Sequence, residues 1–109
     1  GEAAAARREA ARVAGTRPSR PLADYAGRYV HPVYGDIAVT ASDTGLRLAF
    51  GPSPDNAGLL EHFHYDSFRT KLGDGRGGWT YLTFRLDADG GIAALRFEDQ
   101  ASLEFARAP

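Results

Sequence analysis

The chain contains no cysteine and no methionine among its 109 residues, and Lys71 is its single lysine. The absence of cysteine excludes disulfides and thiolate metal sites, but it leaves the compartment undecided between the cytoplasm and the cell envelope or secretion. Because no initiator methionine is present, we expect the chain to begin at an internal boundary or after processing. A net charge of −1 gives no basic excess for nucleic acid, and no apolar run approaches the roughly 20 residues that span a membrane.

Two segments of different composition divide the chain into residues 1–21 and residues 22–109. Glu2 to Ala14 is rich in Ala, Arg and Glu, which predicts a helix, and Gly15 and Pro18 predict its end. This helix has almost no large apolar side chain, so it needs a partner surface to be ordered. We interpret residues 1–21 as a linker helix with an extended connector, and residues 22–109 as one globular domain.

From Leu22 onward, short runs of alternating apolar and polar residues are separated by Gly, Asp, Asn and Pro, which is typical of antiparallel strands. Eight strands are predicted: Ala23–Val30, Gly35–Ala41, Leu46–Phe50, Gly58–His62, Tyr65–Lys71, Trp79–Asp87, Ile92–Glu98 and Ala101–Arg107. The fold class is therefore all-β, a small eight-stranded up-and-down barrel preceded by one helix. Bulky side chains should fill its interior, namely Leu48, Phe50, Leu60, Phe68, Leu82, Phe84, Leu95, Phe97 and Phe105.

The segment Leu60–Phe68 carries the densest cluster of chemistry-bearing residues. On a regular strand His62, His64 and Asp66 would share one face, a set that could hold a metal ion if His31 joined it. The interpretation that we favour is structural. Asp66 and a buried His62 should form hydrogen bonds that hold the turn between the fourth and fifth strands. A contact surface for a partner domain is the third alternative, and we predict no metal and no cofactor.

Motifs for catalysis and for nucleotide binding are missing from the sequence. There is no Ser-x-x-Lys, Gly-x-Ser-x-Gly, Gly-x-Gly-x-x-Gly or P-loop pattern. Ser67 and Lys71 are four apart on a predicted strand, a spacing without catalytic meaning, and the glycine-rich residues 73–78 fit a hairpin turn. The tyrosines and Trp79 do not alternate with a basic stripe, which argues against an oligonucleotide-binding barrel.

Several residues in order resemble a known bacterial domain. Leu22 to Tyr29 is similar to its opening Leu…Tyr-x-Gly-x-Tyr, and His62 to Phe68 resembles its His-Trp-x-x-Asp-x-Phe, with Phe63 in place of the commoner Trp. The domain is the lipocalin-like C-terminal accessory domain of serine hydrolases of the β-lactamase and penicillin-binding type. The resemblance covers about residues 21 to 107. It identifies a structural motif of Tyr25, Gly27, Tyr29, Tyr34, Gly35, His62, Asp66 and Phe68.

This resemblance implies a function that the residues alone do not give. Catalysis would lie upstream, on a serine with a nearby lysine and tyrosine, in a catalytic domain that is the expected partner. The present chain would be a non-catalytic C-terminal accessory domain that packs against that domain, restricts substrate access or mediates homo-oligomerisation. The alternative is a small-ligand carrier of lipocalin type, which a large empty interior would favour.

Overall fold

The computed structural model describes residues 2–98 and 103–109. Eight antiparallel strands close into a barrel in which every strand pairs with its sequence neighbours and β1 pairs with β8. The strands are β1 (Gly27–His31), β2 (Gly35–Ser42), β3 (Gly45–Phe50), β4 (Ala57–His64), β5 (Ser67–Lys71), β6 (Trp79–Leu86), β7 (Ile92–Phe97) and β8 (Glu104–Arg107). One helix, α1 (Glu2–Ala10), precedes them. The predicted all-β barrel with a single N-terminal helix is confirmed.

The predicted boundaries need correction at several places. The α-helix ends at Ala10 and not at Ala14, because the backbone N–H of Val13 donates to His64 on the barrel and not to a helical carbonyl. The predicted strand Ala23–Val30 begins with a short 3₁₀ helix, Leu22–Tyr25. A second 3₁₀ turn, Pro54–Asn56, precedes β4. The predicted start of the last strand, at residues 101–102, lies outside the described residues.

Aromatic and branched side chains from all eight strands and the first 3₁₀ helix fill the barrel interior. The buried cluster comprises Tyr25, Tyr29, Ile37, Val39, Leu46, Leu48, Leu60, Phe68, Leu82, Phe84, Ile92, Leu95, Phe97 and Phe105. The predicted interior set is confirmed except for Phe50, which is half-buried at one end, where it stacks on Phe97. Three clefts lie on the outer face or the rim, along β3–β4, beside Tyr34 and beside α1.

The connections between strands lie at alternating ends of the barrel, as an up-and-down order requires. We call the end with the turns at 43–44, 65–66 and 87–91 the linker end, because the chain enters β1 there. The opposite end carries the connections at 32–34, 51–56 and 72–78, and we call it the far end. Among the described residues, no helix has the length and apolar character needed to cross a membrane.

Gly58 shows how closely neighbouring strands approach on β4. A Cβ atom at this position would lie 2.4 Å from Thr70 Oγ1 and 2.6 Å from the carbonyl oxygen of Lys71. Both distances are far below van der Waals contact, and one of these atoms is backbone that cannot rotate away. A glycine is therefore required where β4 crosses this part of β5.

Candidate functional site: the β4–β5 turn and the connector

The three residues considered as an alternative metal set, His62, His64 and Asp66, do not share one face. A register irregularity lies between His62 and His64 in the pairing of β4 with β5. His62 stays against the interior ring of Phe68, whereas the His64 ring lies 4.7 Å from Phe63 on the outer face. In residues 2–98 and 103–109, no three His, Asp or Glu side chains are placed to hold a metal ion together. The expectation of one shared face was wrong because β4 does not stay regular to its end.

The expectation that His62 is buried was wrong. His64 is the buried one, at 9 % exposed, and His62 is half-buried. His62 Nε2 lies 2.8 Å from the carbonyl oxygen of Tyr65, a hydrogen bond that spans the turn. Tyr65 itself has a positive φ of 47°, an uncommon conformation for a residue with a side chain. The hydrogen bond within the turn therefore involves His62, whereas Asp66 is hydrogen-bonded, as expected, to a backbone N–H and to side chains that lie outside the turn.

Asp66 accepts hydrogen bonds from outside the turn. Its donors are the Ser19 backbone N–H at 2.9 Å, the Ser19 hydroxyl at 2.9 Å and 2.8 Å, and the Tyr25 hydroxyl at 2.5 Å. Tyr25 is fully buried at the linker end and packs edge-on against Phe68 and Phe84. Asp66 therefore connects the barrel's interior aromatic cluster to the connector that precedes it.

Two pKa shifts follow from this arrangement. Burial and the hydrogen bond to Asp66 raise the pKa of Tyr25 to about 12, so its hydroxyl stays protonated and donates. Burial opposes ionisation of Asp66, but the hydrogen bonds from Tyr25 and Ser19 outweigh it and hold its pKa below the usual range. The pair therefore functions as a neutral donor and a charged acceptor at neutral pH.

The connector, residues 11–21, lies along the β4–β5 turn and contacts it at four places. The contacts occur in the same order along both segments. Arg12 Nε donates to Phe63 O at 3.0 Å, and the Val13 N–H donates to His64 Nδ1 at 2.9 Å. The Tyr65 N–H then donates to Thr16 Oγ1 at 2.7 Å, and Ser19 donates to Asp66. Each residue from 63 to 66 thus has its own partner between 12 and 19. The sequence predicts an extended connector only for residues 16–21, and the pairing with the β4–β5 turn has no sequence signal that we can identify.

His64 is neutral in this setting. Burial lowers its pKa from the ordinary 6.5, and the nearby Arg8 guanidinium lowers it further. Glu98 acts in the opposite direction, and His62 and Arg12 add smaller lowering effects. A neutral ring can present Nδ1 as an acceptor to the Val13 N–H, which a protonated ring cannot. Protonation of His64 would therefore remove one of the four contacts of the connector.

Helix α1 lies against the outer face of the barrel over Phe63. The Phe63 ring is 1 % exposed and lies beneath the guanidinium groups of Arg8, Arg12 and Arg69, at 5.3 Å, 6.0 Å and 5.5 Å. Arg69 also pairs with Glu9 of the helix at 2.7 Å. The helix buries no residue of its own, so polar contacts and cation–π contacts fix it to the barrel. The barrel is the partner surface that the sequence analysis required.

The other residues of the predicted structural motif lie at both ends of the barrel. Tyr29 is buried and donates through its hydroxyl to the Tyr25 carbonyl at 2.7 Å. Gly27 leaves room for Arg107, whose guanidinium donates to the Ala26 carbonyl at 2.7 Å. Tyr34 and Gly35 lie at the far end, remote from the Asp66 cluster, so the structure separates them from the other motif residues.

The remaining candidates from the sequence have structural contacts. The Ser67 hydroxyl pairs with Thr83 Oγ1 at 2.5 Å, and Lys71 lies over the Trp79 ring at 4.7 Å. These two contacts point to different neighbours, so Ser67 and Lys71 do not form a catalytic pair. His31 lies at the far end and accepts backbone hydrogen bonds within its own loop. The glycine-rich residues 73–78 form the connection between β5 and β6, as predicted.

Comparison with known families gives the origin of this architecture. Residues 11–108 match the family described as "Domain of unknown function (DUF3471)", which covers most of the chain. The chain belongs to this family. The family is a C-terminal domain of penicillin-binding and β-lactamase-type proteins, so the resemblance found in the sequence is confirmed. The match begins at residue 11, within the connector, and so includes the residues that contact the β4–β5 turn.

A solved structure supports the same assignment. The chain is similar to the crystal structure of the C-terminal domain of penicillin binding protein Rv0907, with 30 % sequence identity and a TM-score of 0.67. The similarity covers 89 % of this chain and 94 % of that one. A comparison with curated proteins finds no match. The chain is thus an accessory β-barrel domain of a β-lactamase-related protein.

Proposed function

We propose that this domain is non-catalytic and packs against an upstream serine hydrolase catalytic domain, where it restricts access of substrates to the active site. The observation that carries the proposal is the filled interior of the barrel. Fourteen buried side chains form one continuous cluster inside it. A barrel filled in this way has its outer surface and its rims available for recognition, which supports contact with a partner and not the carriage of a small ligand.

The chemistry of the described side chains supports the same proposal. Nucleophilic catalysis needs a serine, cysteine or similar group with a base in hydrogen-bonding reach. Ser67 pairs with a threonine hydroxyl, and Ser19 donates to the Asp66 carboxylate, which also accepts from the Tyr25 hydroxyl. The carboxylate of Asp66 is engaged in fixing the connector. Asp66 therefore has a structural role.

The contacts of the connector favour a fixed orientation of the barrel relative to the upstream domain. Contacts from Arg12 to Ser19 hold the connector on the barrel, and ion pairs hold α1 beyond it. An attached domain would then be oriented and not freely tethered, as a role in covering an active site requires. Homo-oligomerisation through the barrel surface is the other role that the family resemblance implies.

The experiment is an assay of the purified 109-residue chain with β-lactams, esters and D-amino-acid peptides, with the full-length protein as positive control. We expect no turnover by the isolated chain. Turnover that persists through a second purification step would contradict the non-catalytic assignment. Sedimentation of the full-length protein over a concentration series separates packing within one chain from association between chains.

A further inference from the structure

The N-terminal end of α1 lies at the far end of the barrel. Its last turn is adjacent to the connector at the linker end, whereas Glu2, Ala4 and Ala5 line a cleft with Gly77 to Trp79. The helix therefore runs back along the outside of the barrel, from the β5–β6 connection to the β4–β5 turn. Since ion pairs and the connector fix this path, any domain that precedes α1 is brought to the far end.

The far end also presents an exposed apolar loop. Val33 and Tyr34, in the connection between β1 and β2, are 77 % and 62 % exposed. These two adjacent side chains form a small exposed apolar surface at the far end, the kind of surface through which a protein can contact a partner. Large rigid aromatic side chains such as tyrosine are enriched among the residues that dominate binding energy.

His31 holds this loop in one conformation. Its Nδ1 accepts from the Val33 N–H at 3.0 Å and is 3.3 Å from the Tyr34 nitrogen. The His31 ring contacts both Tyr34 and the buried Phe105, with ring centroids 5.0 Å and 5.3 Å apart. The loop is therefore anchored to the barrel interior while its apolar side chains face outward. A loop fixed in advance loses little conformational entropy on binding.

We infer that the loop of Pro32, Val33 and Tyr34 is the surface on which the upstream catalytic domain docks. The inference rests on the proposed function, because it takes its partner from there. Chain direction and exposed apolar surface select the same end of the barrel independently. Two other apolar side chains have comparable exposure. Tyr65, at 57 %, lies at the linker end, which the path of α1 leads away from, and Leu59, at 67 %, lies on the outer face of β4 opposite Arg47.

Hydroxyl-radical footprinting of the full-length protein tests this assignment, with Tyr65 as the internal control for Tyr34. The two tyrosines have similar exposure in the barrel, so an undocked domain would be modified at both at similar rates. We expect Tyr34 to be modified several-fold more slowly than Tyr65, at all protein concentrations. Val33→Asp should restore the reactivity of Tyr34, whereas Leu59→Asp, at an exposed position on β4, should not.

The other outcomes identify which step of the reasoning fails. Protection of Tyr65 or of the Leu59 face with Tyr34 reactive would overturn the docking surface and leave the proposed packing intact. Equal reactivity of Tyr34 and Tyr65 would overturn the docking surface, and the absence of protection at every exposed position of the barrel would overturn the packing as well. Protection of Tyr34 that appears only at high concentration would assign the surface to a second copy of the chain and overturn the inference. Thermal melting of both variants establishes that they are folded.

Discussion

Replacement of Asp66 by alanine is the perturbation that the structure predicts most sharply. The change removes one acceptor that serves Ser19 N–H, Ser19 Oγ and the buried Tyr25 hydroxyl. The Ser19 donors can reach water, but the Tyr25 hydroxyl lies at the base of the aromatic cluster. A buried hydroxyl that loses its acceptor costs about 1–3 kcal/mol, and we expect the free energy of unfolding to fall by that amount.

Thermal unfolding followed by circular dichroism measures this loss. For a domain of this size, 1 kcal/mol corresponds to roughly 4–8 °C in Tm, so Asp66→Ala should lower Tm by about 5–20 °C. Asp36→Ala is the matched control, because the Asp36 carboxylate forms an ion pair with Arg28 at 3.0 Å and both side chains are exposed. Such surface pairs contribute about 0–1 kcal/mol. Equal effects of the two substitutions would refute the assignment of Asp66 as the residue that joins connector and barrel.

The pH dependence of the Asp66 effect has a definite sign. The pKa of Asp66 is lower in the folded chain than in the unfolded chain, so the folded state binds fewer protons on this group. Its contribution to stability is therefore complete above about pH 4 and is lost as pH falls through the folded pKa. The stability difference between the wild type and Asp66→Ala should shrink in that acidic range. A difference that stays constant down to pH 2 would contradict the ionised acceptor.

Three further predictions follow from the packing of β4 and the connector. Gly58→Ala should lower the free energy of unfolding by about 1–3 kcal/mol, because its Cβ would overlap a threonine hydroxyl and a backbone carbonyl, whereas Gly77→Ala, with open space around it, should change it little. The pKa of His64 is lower in the folded chain than in the unfolded chain, so the free energy of unfolding should fall as pH drops below about 6.5. His64→Asn keeps a hydrogen-bond acceptor that does not titrate, so thermal melts of this variant over a pH series should show a weaker dependence. Removal of residues 1–10 deletes partly exposed ion pairs and should lower Tm by a few degrees, whereas removal of residues 1–19 also deletes the connector contacts and should lower it much further.

Alternation of apolar residues and turn chemistry made the barrel predictable. The runs around Leu48, Phe84 and Phe105 place alternate side chains inward, and glycine and aspartate mark the hairpins between them. The interior follows from this pattern because the side-chain period of a strand is fixed. The two short 3₁₀ helices and the partial exposure of Phe50 were not predicted, and the end of α1 shifted because the Val13 N–H contacts His64 across the fold.

The candidate site was predictable in its residues but not in its geometry. The segment from His62 to Asp66 was recognisable as a structural unit, but periodicity assumes a regular strand, and the bulge before His64 turns that ring outward. The partners of the turn come from residues 12 to 19, which are more than 40 positions away in sequence. Such pairings depend on the closed barrel and cannot be read from local patterns.

The central claim is that the domain acts on a neighbouring active site through its outer surface. The most direct measurement compares two proteins, the full-length protein and a shortened form that ends at residue 10 and so lacks the connector and the barrel. For each protein, kcat/KM is measured with one small and one bulky substrate of the same hydrolase. We expect truncation to raise kcat/KM for the bulky substrate several-fold more than for the small one. An unchanged ratio of the two values, with both proteins folded and active, would contradict it.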